Sequence, residues 1–95
     1  MFARVTPYQL KAGTVEAAMA KAEELKPRIM ALPGLLSFTN VANADGSGYI
    51  VSVITDQATS DANMEQVKAI WGEMTDFLAA MPVPAGYQHV QHWDN

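Results

Sequence analysis

Both histidines of the chain, His89 and His92, fall within GYQHVQHWDN, together with Tyr87 and Trp93. A histidine can take or give a proton near neutral pH, and a pair of them can ligate a metal. Spacing separates these two chemistries. In a strand, side chains alternate faces, so Tyr87, His89, Gln91 and Trp93 point one way while Gln88, Val90 and His92 point the other. Histidines three apart in a regular strand cannot share one ion, and no carboxylate in the segment is placed to complete a site, so no metal is expected. His89, with Tyr87 and Gln91 on its own face, is the candidate general acid or base; the alternative is a histidine hydrogen-bonded in a subunit interface. His92 and Trp93 read as edge or interface residues.

Other side chains are suited to holding a ligand. Arg4 shares one face of an extended segment, FARVTPYQL, with Phe2, Thr6 and Tyr8. A guanidinium among apolar neighbours needs water or an anion; an intersubunit carboxylate such as Asp56 or Asp94, or a ligand carboxylate, would supply one. Trp71 offers a flat ring as core filler or cavity wall, and Met74, with Met64, Met81, Met19 and Met30, offers adaptable apolar surface. Asn40 and Asn63 can orient a polar ligand, and Asn63 serves equally as a helix cap. The expected ligand-pocket residues are Trp71, Tyr87, Met74, Asn40 and Arg4, with His89 as the expected catalytic residue. No phosphate-binding glycine loop or HExxH is present, Gly46-Ser47-Gly48 is too short to cradle phosphate, and Ser37 and Ser52 are strand residues without a nucleophile elbow.

The elements that must position these residues follow from hydrophobic period and punctuation. After a strand over residues 2–10, Lys11-Ala12-Gly13 is a break and Thr14 a candidate cap. Val15, Ala18, Ala22, Leu25, Ile29 and Leu32 then recur at helical spacing, with Pro27 expected to bend the helix or to interrupt it before Arg28. Pro33-Gly34 ends that segment. LLSFTNVA and YIVSVIT are strands joined by an Asn43–Gly48 turn containing Asp-Gly. Thr59, Ser60 and Asp61 compete to cap a second helix on which Met64, Val67, Trp71, Met74, Leu78 and Met81 form a stripe widened by Ile70 and Phe77. Pro82-Val83-Pro84 stops it, and YQHVQHW is a final strand.

The order β-α-β-β-α-β predicts an α+β fold of the ferredoxin-like kind, one domain over residues 1–95 with two helices on one face of a four-stranded antiparallel sheet. Apolar residues of both parities in Tyr49, Val51 and Val53 against Ile50 and Ile54 predict that the other face is covered too, most simply by a second copy through the sheets. With 95 residues the chain buries only roughly 60–65% of its unfolded surface, so a partner chain adds needed burial. Six scattered basic residues against ten acidic ones leave a net charge of −4, which gives no footprint for nucleic acid. Cysteine is absent, which excludes disulfides and thiolate metal sites. MFARVTPYQL lacks the features of an export signal, and no apolar run approaches the roughly eighteen residues of a membrane span, so a cytoplasmic location is expected.

Together the segments Phe2–Gly13, the long helix, PGLLSF leading into the second strand, the hairpin to Tyr49-Ile50-Val51-Ser52-Val53, and the second helix with Trp71 and Phe77 resemble the antibiotic-biosynthesis monooxygenase family of dimeric α/β barrels. The resemblance spans nearly the whole chain, and PGLLSF, similar to the family's motif at a helix-to-strand turn, speaks for architecture. It implies a homodimer with a pocket in each subunit between sheet and helices. It also implies oxygenation of aromatic compounds without metal or flavin in some members and haem degradation in others. The haem-degrading branch uses a strand-1 asparagine, a helix-2 tryptophan and a histidine further along that helix. Trp71 matches the tryptophan; strand 1 has no asparagine and residues 60–81 no histidine, so haem degradation is not expected. The function expected is therefore a cofactor-independent oxygenase acting on an apolar or aromatic small molecule, with His89 as base, or else a non-catalytic ligand-binding protein of the same fold.

Overall fold

Phe2, Arg4, Thr6 and Tyr8 alternate with Ala3, Val5, Pro7 and Gln9 along strand β1 (Phe2–Gln9), so the two sets face opposite sides of the sheet. In the computed structural model, which describes all 95 residues, β1 pairs antiparallel with β3 (Ser47–Ile54) and with β4 (Ala85–Tyr87), and β3 pairs antiparallel with β2 (Leu35–Ala42). The sheet order is β2-β3-β1-β4, the α+β ferredoxin-like layout expected of this element order.

Helix α1 (Val15–Met30) buries Ala18, Leu25 and Ile29. Thr14 does not cap it through its side chain; its hydroxyl donates to the Lys11 carbonyl at 2.7 Å and closes the preceding turn instead. Pro27 does not interrupt it. The residue is exposed, and the Ala31 amide still donates to the Pro27 carbonyl at 3.2 Å, so the helix runs on to Met30.

The PGLLSF junction has a physical basis on all sides. The Pro33 carbonyl accepts from the Asn63 side chain at 2.8 Å, and the Gly34 carbonyl accepts from the Thr55 amide at 3.0 Å. Gly34 has φ +72, and a side chain there would meet Thr55 Oγ1 at 2.7 Å and Thr59 Cγ2 at 2.8 Å. Only glycine satisfies both the left-handed backbone and the close approach.

The second half departs from a single long helix. It comprises α2 (Gln57–Ala62), α3 (Met64–Gly72) and a short 3₁₀ turn at Thr75–Phe77. Asp56 caps α2 by accepting from the Thr59 amide at 2.8 Å, so none of Thr59, Ser60 and Asp61 is the cap. The break falls at buried Asn63, whose side chain is tied to Pro33 while its amide closes α2 on the Thr59 and Ser60 carbonyls. The apolar stripe still does its work, because Met74 and Leu78 join Leu10, Ala18, Leu25 and Ile29 in one cluster. Met81 lies outside it, exposed.

The chain end is also corrected. The Lys11 amide donates to the Phe77 carbonyl at 2.8 Å and the Ala79 amide to the Gln9 carbonyl at 2.9 Å, so the chain begins to pair with the end of β1. Pro82 and Pro84 then lack the amides a ladder requires. Only Ala85–Tyr87 resume pairing, opposite Val5, Arg4 and Ala3, and residues 88–95 form no strand. The helices and the cluster lie on one side of the sheet. The other side presents Val5, Val51, Val41, Tyr49 and Tyr87, the last three about half exposed.

Tyr8 sits opposite Gly48 in the ladder. A carbon added at Gly48 would lie 2.5 Å from the Tyr8 ring and against the Val41 carbonyl, so the absent side chain is what lets the phenol cross β3 toward β2. Gly48→Ala should cost about 1–3 kcal/mol in urea unfolding, the range of an overpacked site. Gly72→Ala, with nothing within 4 Å, is the matched control and should cost nothing or gain up to about 1 kcal/mol.

Candidate functional site

Between the inner face of the sheet and the helices lies a cavity of about 100 Å³, and 17 of its 24 lining residues are hydrophobic. β1 contributes Arg4, Thr6 and Tyr8, the β2–β3 hairpin contributes Phe38, Asn40, Ile50 and Ser52, and α3 contributes Met64, Val67, Ile70 and Trp71. These residues come from every other position of each strand, as the pleat demands. No histidine, aspartate or glutamate lines the cavity.

Four of the expected pocket residues meet here: Arg4, Asn40, Trp71 and Met74. Tyr87 and His89 do not. Tyr87 stands opposite Ala3, on the face turned away from the helices, and His89 lies beyond the last strand and is exposed. The reason is the register: β1 begins at Phe2, so a strand that has already reached Ala3 at Tyr87 runs past the start of its partner before His89. A void shared by Trp71 with Tyr87 or His89 is therefore not formed within the chain. His92 pairs with Asp94 at 3.3 Å on the exposed tail, and no group of three or more His, Cys, Asp or Glu side chains is placed to hold a metal ion.

Arg4 finds its anion within its own chain, not at Asp56 or Asp94. Its Nε donates to Ser60 Oγ at 2.8 Å and its Nη2 to the carboxylate of Asp61, both on α2, and its guanidinium stands 5.1 Å from the centre of the Phe2 ring. The side chain is 19% exposed against 57% for Asp61, so the cation belongs to the cavity and the carboxylate to the surface.

Tyr8 is the site residue that pattern reading passed over. Its hydroxyl donates to Asn40 Oδ1 at 2.7 Å, Asn40 Nδ2 points to Met19 Sδ at 3.5 Å, and the Tyr8 and Trp71 rings are tilted with centroids 6.0 Å apart. The available signal was its place on the Arg4 face together with a glycine in the facing strand. Burial raises its phenol pKa above the ordinary 10, so at neutral pH Tyr8 is a hydrogen-bonding phenol and not a base. The site thus offers a cation, a phenol, an amide and an aromatic wall, and no group poised to accept a proton.

The raised pKa also has a sign in stability. Above pH 10 the unfolded chain releases the Tyr8 proton while the folded chain keeps it, so this contribution is complete below pH 10 and falls as pH rises beyond it. Tyr8→Phe should show a shallower loss of the urea midpoint above pH 10 than the wild type, and a parallel loss in both would remove Tyr8 from that role.

No family model matches the sequence, and no curated protein matches it. Solved structures do. A protein of unknown function from Nitrosomonas europaea is 14% identical with a TM-score of 0.80, over 99% of this chain and 93% of its own. A conserved protein from Methanosarcina mazei is 14% identical with a TM-score of 0.75, over 92% of this chain and 90% of its own. A protein named antibiotic biosynthesis monooxygenase is 13% identical with a TM-score of 0.75, over 96% of this chain and 100% of its own. At these identities the likeness is one of fold, and the chain has the antibiotic biosynthesis monooxygenase-like fold along almost its whole length.

Proposed function

We propose that this protein binds a small aromatic molecule in the cavity between sheet and helices, and that it does so as a homodimer in the cytoplasm. The observation that carries the reading is the cavity itself: an apolar space walled by Trp71, Phe38 and Met74, with convergent polar groups from Arg4, Tyr8 and Asn40. Its size limits the ligand. Pockets for drug-sized molecules run to roughly 300–1,000 Å³, and an apolar cavity of about 150 Å³ takes a benzene ring. At about 100 Å³ this one is smaller than that, so a single ring enters with adjustment of the flexible Met19, Met64 and Met74 side chains, and a polycyclic compound requires the helices to move.

The fold shared with a protein named antibiotic biosynthesis monooxygenase favours a second reading, oxygenation without a cofactor. In that chemistry the deprotonated substrate supplies the electrons that reduce oxygen, so the site needs a proton acceptor and a stabiliser of the resulting oxyanion. Arg4 fits the second role. The first falls to His89, brought to a cavity only by the tail within a dimer.

The dimer reading rests on the half-exposed Tyr49, Val41 and Tyr87 across the outer face and on Trp93, 85% exposed on the tail. Light scattering at micromolar concentration should give the mass of two chains, and the mass of one would end it. In a Trp93→Phe background, where Trp71 alone emits, p-cresol should change the emission saturably; a linear, unsaturable response means that the cavity takes no ring. On the oxygenase reading, His89→Ala should abolish oxygen uptake with a dihydric phenol and leave p-cresol binding intact, whereas an unchanged rate gives His89 no part.

A further inference from the structure

Every charged or strongly polar feature facing the cavity is a cation or a neutral group, and its two poles lie apart. Arg4 and Tyr8 are separated by four residues of one strand, about 13 Å between Cα atoms at the ordinary rise. Trp71 and Phe38 belong to the apolar wall of the same cavity. At the Arg4 pole the guanidinium is only partly used. Nε serves Ser60 and Nη2 serves Asp61, while Nη1, close to Gly86, bonds to no protein atom.

We infer that the cavity selects anionic ligands, single-ring aromatic carboxylates above all, whose carboxylate takes the place of Asp61 on Arg4 while the ring lies against Trp71. This rests on the reading that the cavity binds an aromatic molecule. Asp61 contacts one nitrogen of the fork and is mostly solvated, the kind of pairing that contributes little and is screened by salt. A ligand carboxylate arriving from the cavity side can engage two N–H groups in the planar arrangement guanidinium favours, and does so where less water competes. Displacing Asp61 strands no charge, because its carboxylate returns to water at the surface. No acidic side chain lines the cavity to repel the incoming anion. The chain's net charge of −4 opposes it only from a distance and through solvent. Asp61 is thus a built-in stand-in for the ligand, occupying Arg4 when the cavity is empty, while the Ser60 contact keeps α2 on β1 in either state.

The test compares benzoate with its neutral isostere benzamide, by Trp71 emission in the Trp93→Phe background and by calorimetry. Benzoate should bind about tenfold more tightly, the difference expected between a charge-assisted and a neutral hydrogen bond, and the preference should shrink as salt is raised. Asp61→Asn should strengthen benzoate binding several-fold and leave benzamide unchanged, because it removes the competitor without touching the cavity wall. Arg4→Met should reduce benzoate to the level of benzamide. Should Arg4→Met fail to fold, Asp61→Asn at the exposed position still decides. Equal affinities for the two compounds, or equal effects of Asp61→Asn on both, would overturn the anion selectivity and leave ring binding standing. Absence of binding by benzoate, benzamide and p-cresol alike would overturn the ring-binding reading and this inference with it.

Discussion

A guanidinium placed beneath helices has to be paired, since an uncompensated charge out of water costs several kcal/mol even after relaxation. Much of the architecture on the helix side follows from how Arg4 meets that demand. Its two contacts to Ser60 and Asp61 set α2 across the sheet end where Arg4 lies. With α2 so placed, Asn63 comes over the Pro33 carbonyl, and the junction between α1 and β2 gains the partner that its backbone needs. The same short helix, its amino end held by Asp56, then contributes Ser60 to the cavity wall. Electrostatics at one residue thereby links β1, α2 and the PGLLSF turn, segments far apart in sequence.

Packing on the rest of the molecule is lean. Only 15 of 95 residues are buried and no large side chain is fully enclosed, so the cluster around Leu10, Leu25, Ile29, Met74 and Leu78 is thin. A thin core with a cavity beside it is easier to repack than a dense one, and the methionines around the site, Met19, Met64 and Met74, suit such adjustment. Surface ion pairs joining Lys21 and Arg28 to Glu73 bring α1 and the end of α3 together, but exposed pairs of this kind contribute little to holding them.

The sequence was informative wherever one local rule acted alone. Helix α1 could be read from its apolar period, the hairpin from its Asp-Gly turn, and the element order from both. Arg4, Asn40, Trp71 and Met74 could be placed on inward faces by parity or period alone, which is why they meet in the cavity. The losses came where two signals competed. The stripe from Met64 to Met81 is continuous in helical spacing, yet Asn63 and the 3₁₀ turn cut the helix, because a buried amide tied to a distant carbonyl outweighs local propensity. Alternation in YQHVQHW gave a plausible strand, but a strand also needs a partner, and β4, starting only after Pro82 and Pro84, runs past the beginning of β1 within three residues. Tyr8 escaped notice because its role depends on Gly48 across the ladder, a relation that no single stretch of sequence contains.

Those prolines bear on how copies of the chain can meet. The edge beyond β1 is closed first by donorless Pro82 and Pro84 and then by a strand of three residues, too short to template another chain. The opposite edge, β2, carries an irregularity between Leu35 and Ser37 that disturbs the regular row of amides and carbonyls. Growth of the sheet by sideways addition, the route to fibrillar aggregates, is blunted at both margins. The exposed Val41, Tyr49 and Tyr87 side chains stand instead on a face of the sheet, where contact would cover side chains without extending the ladder of backbone hydrogen bonds.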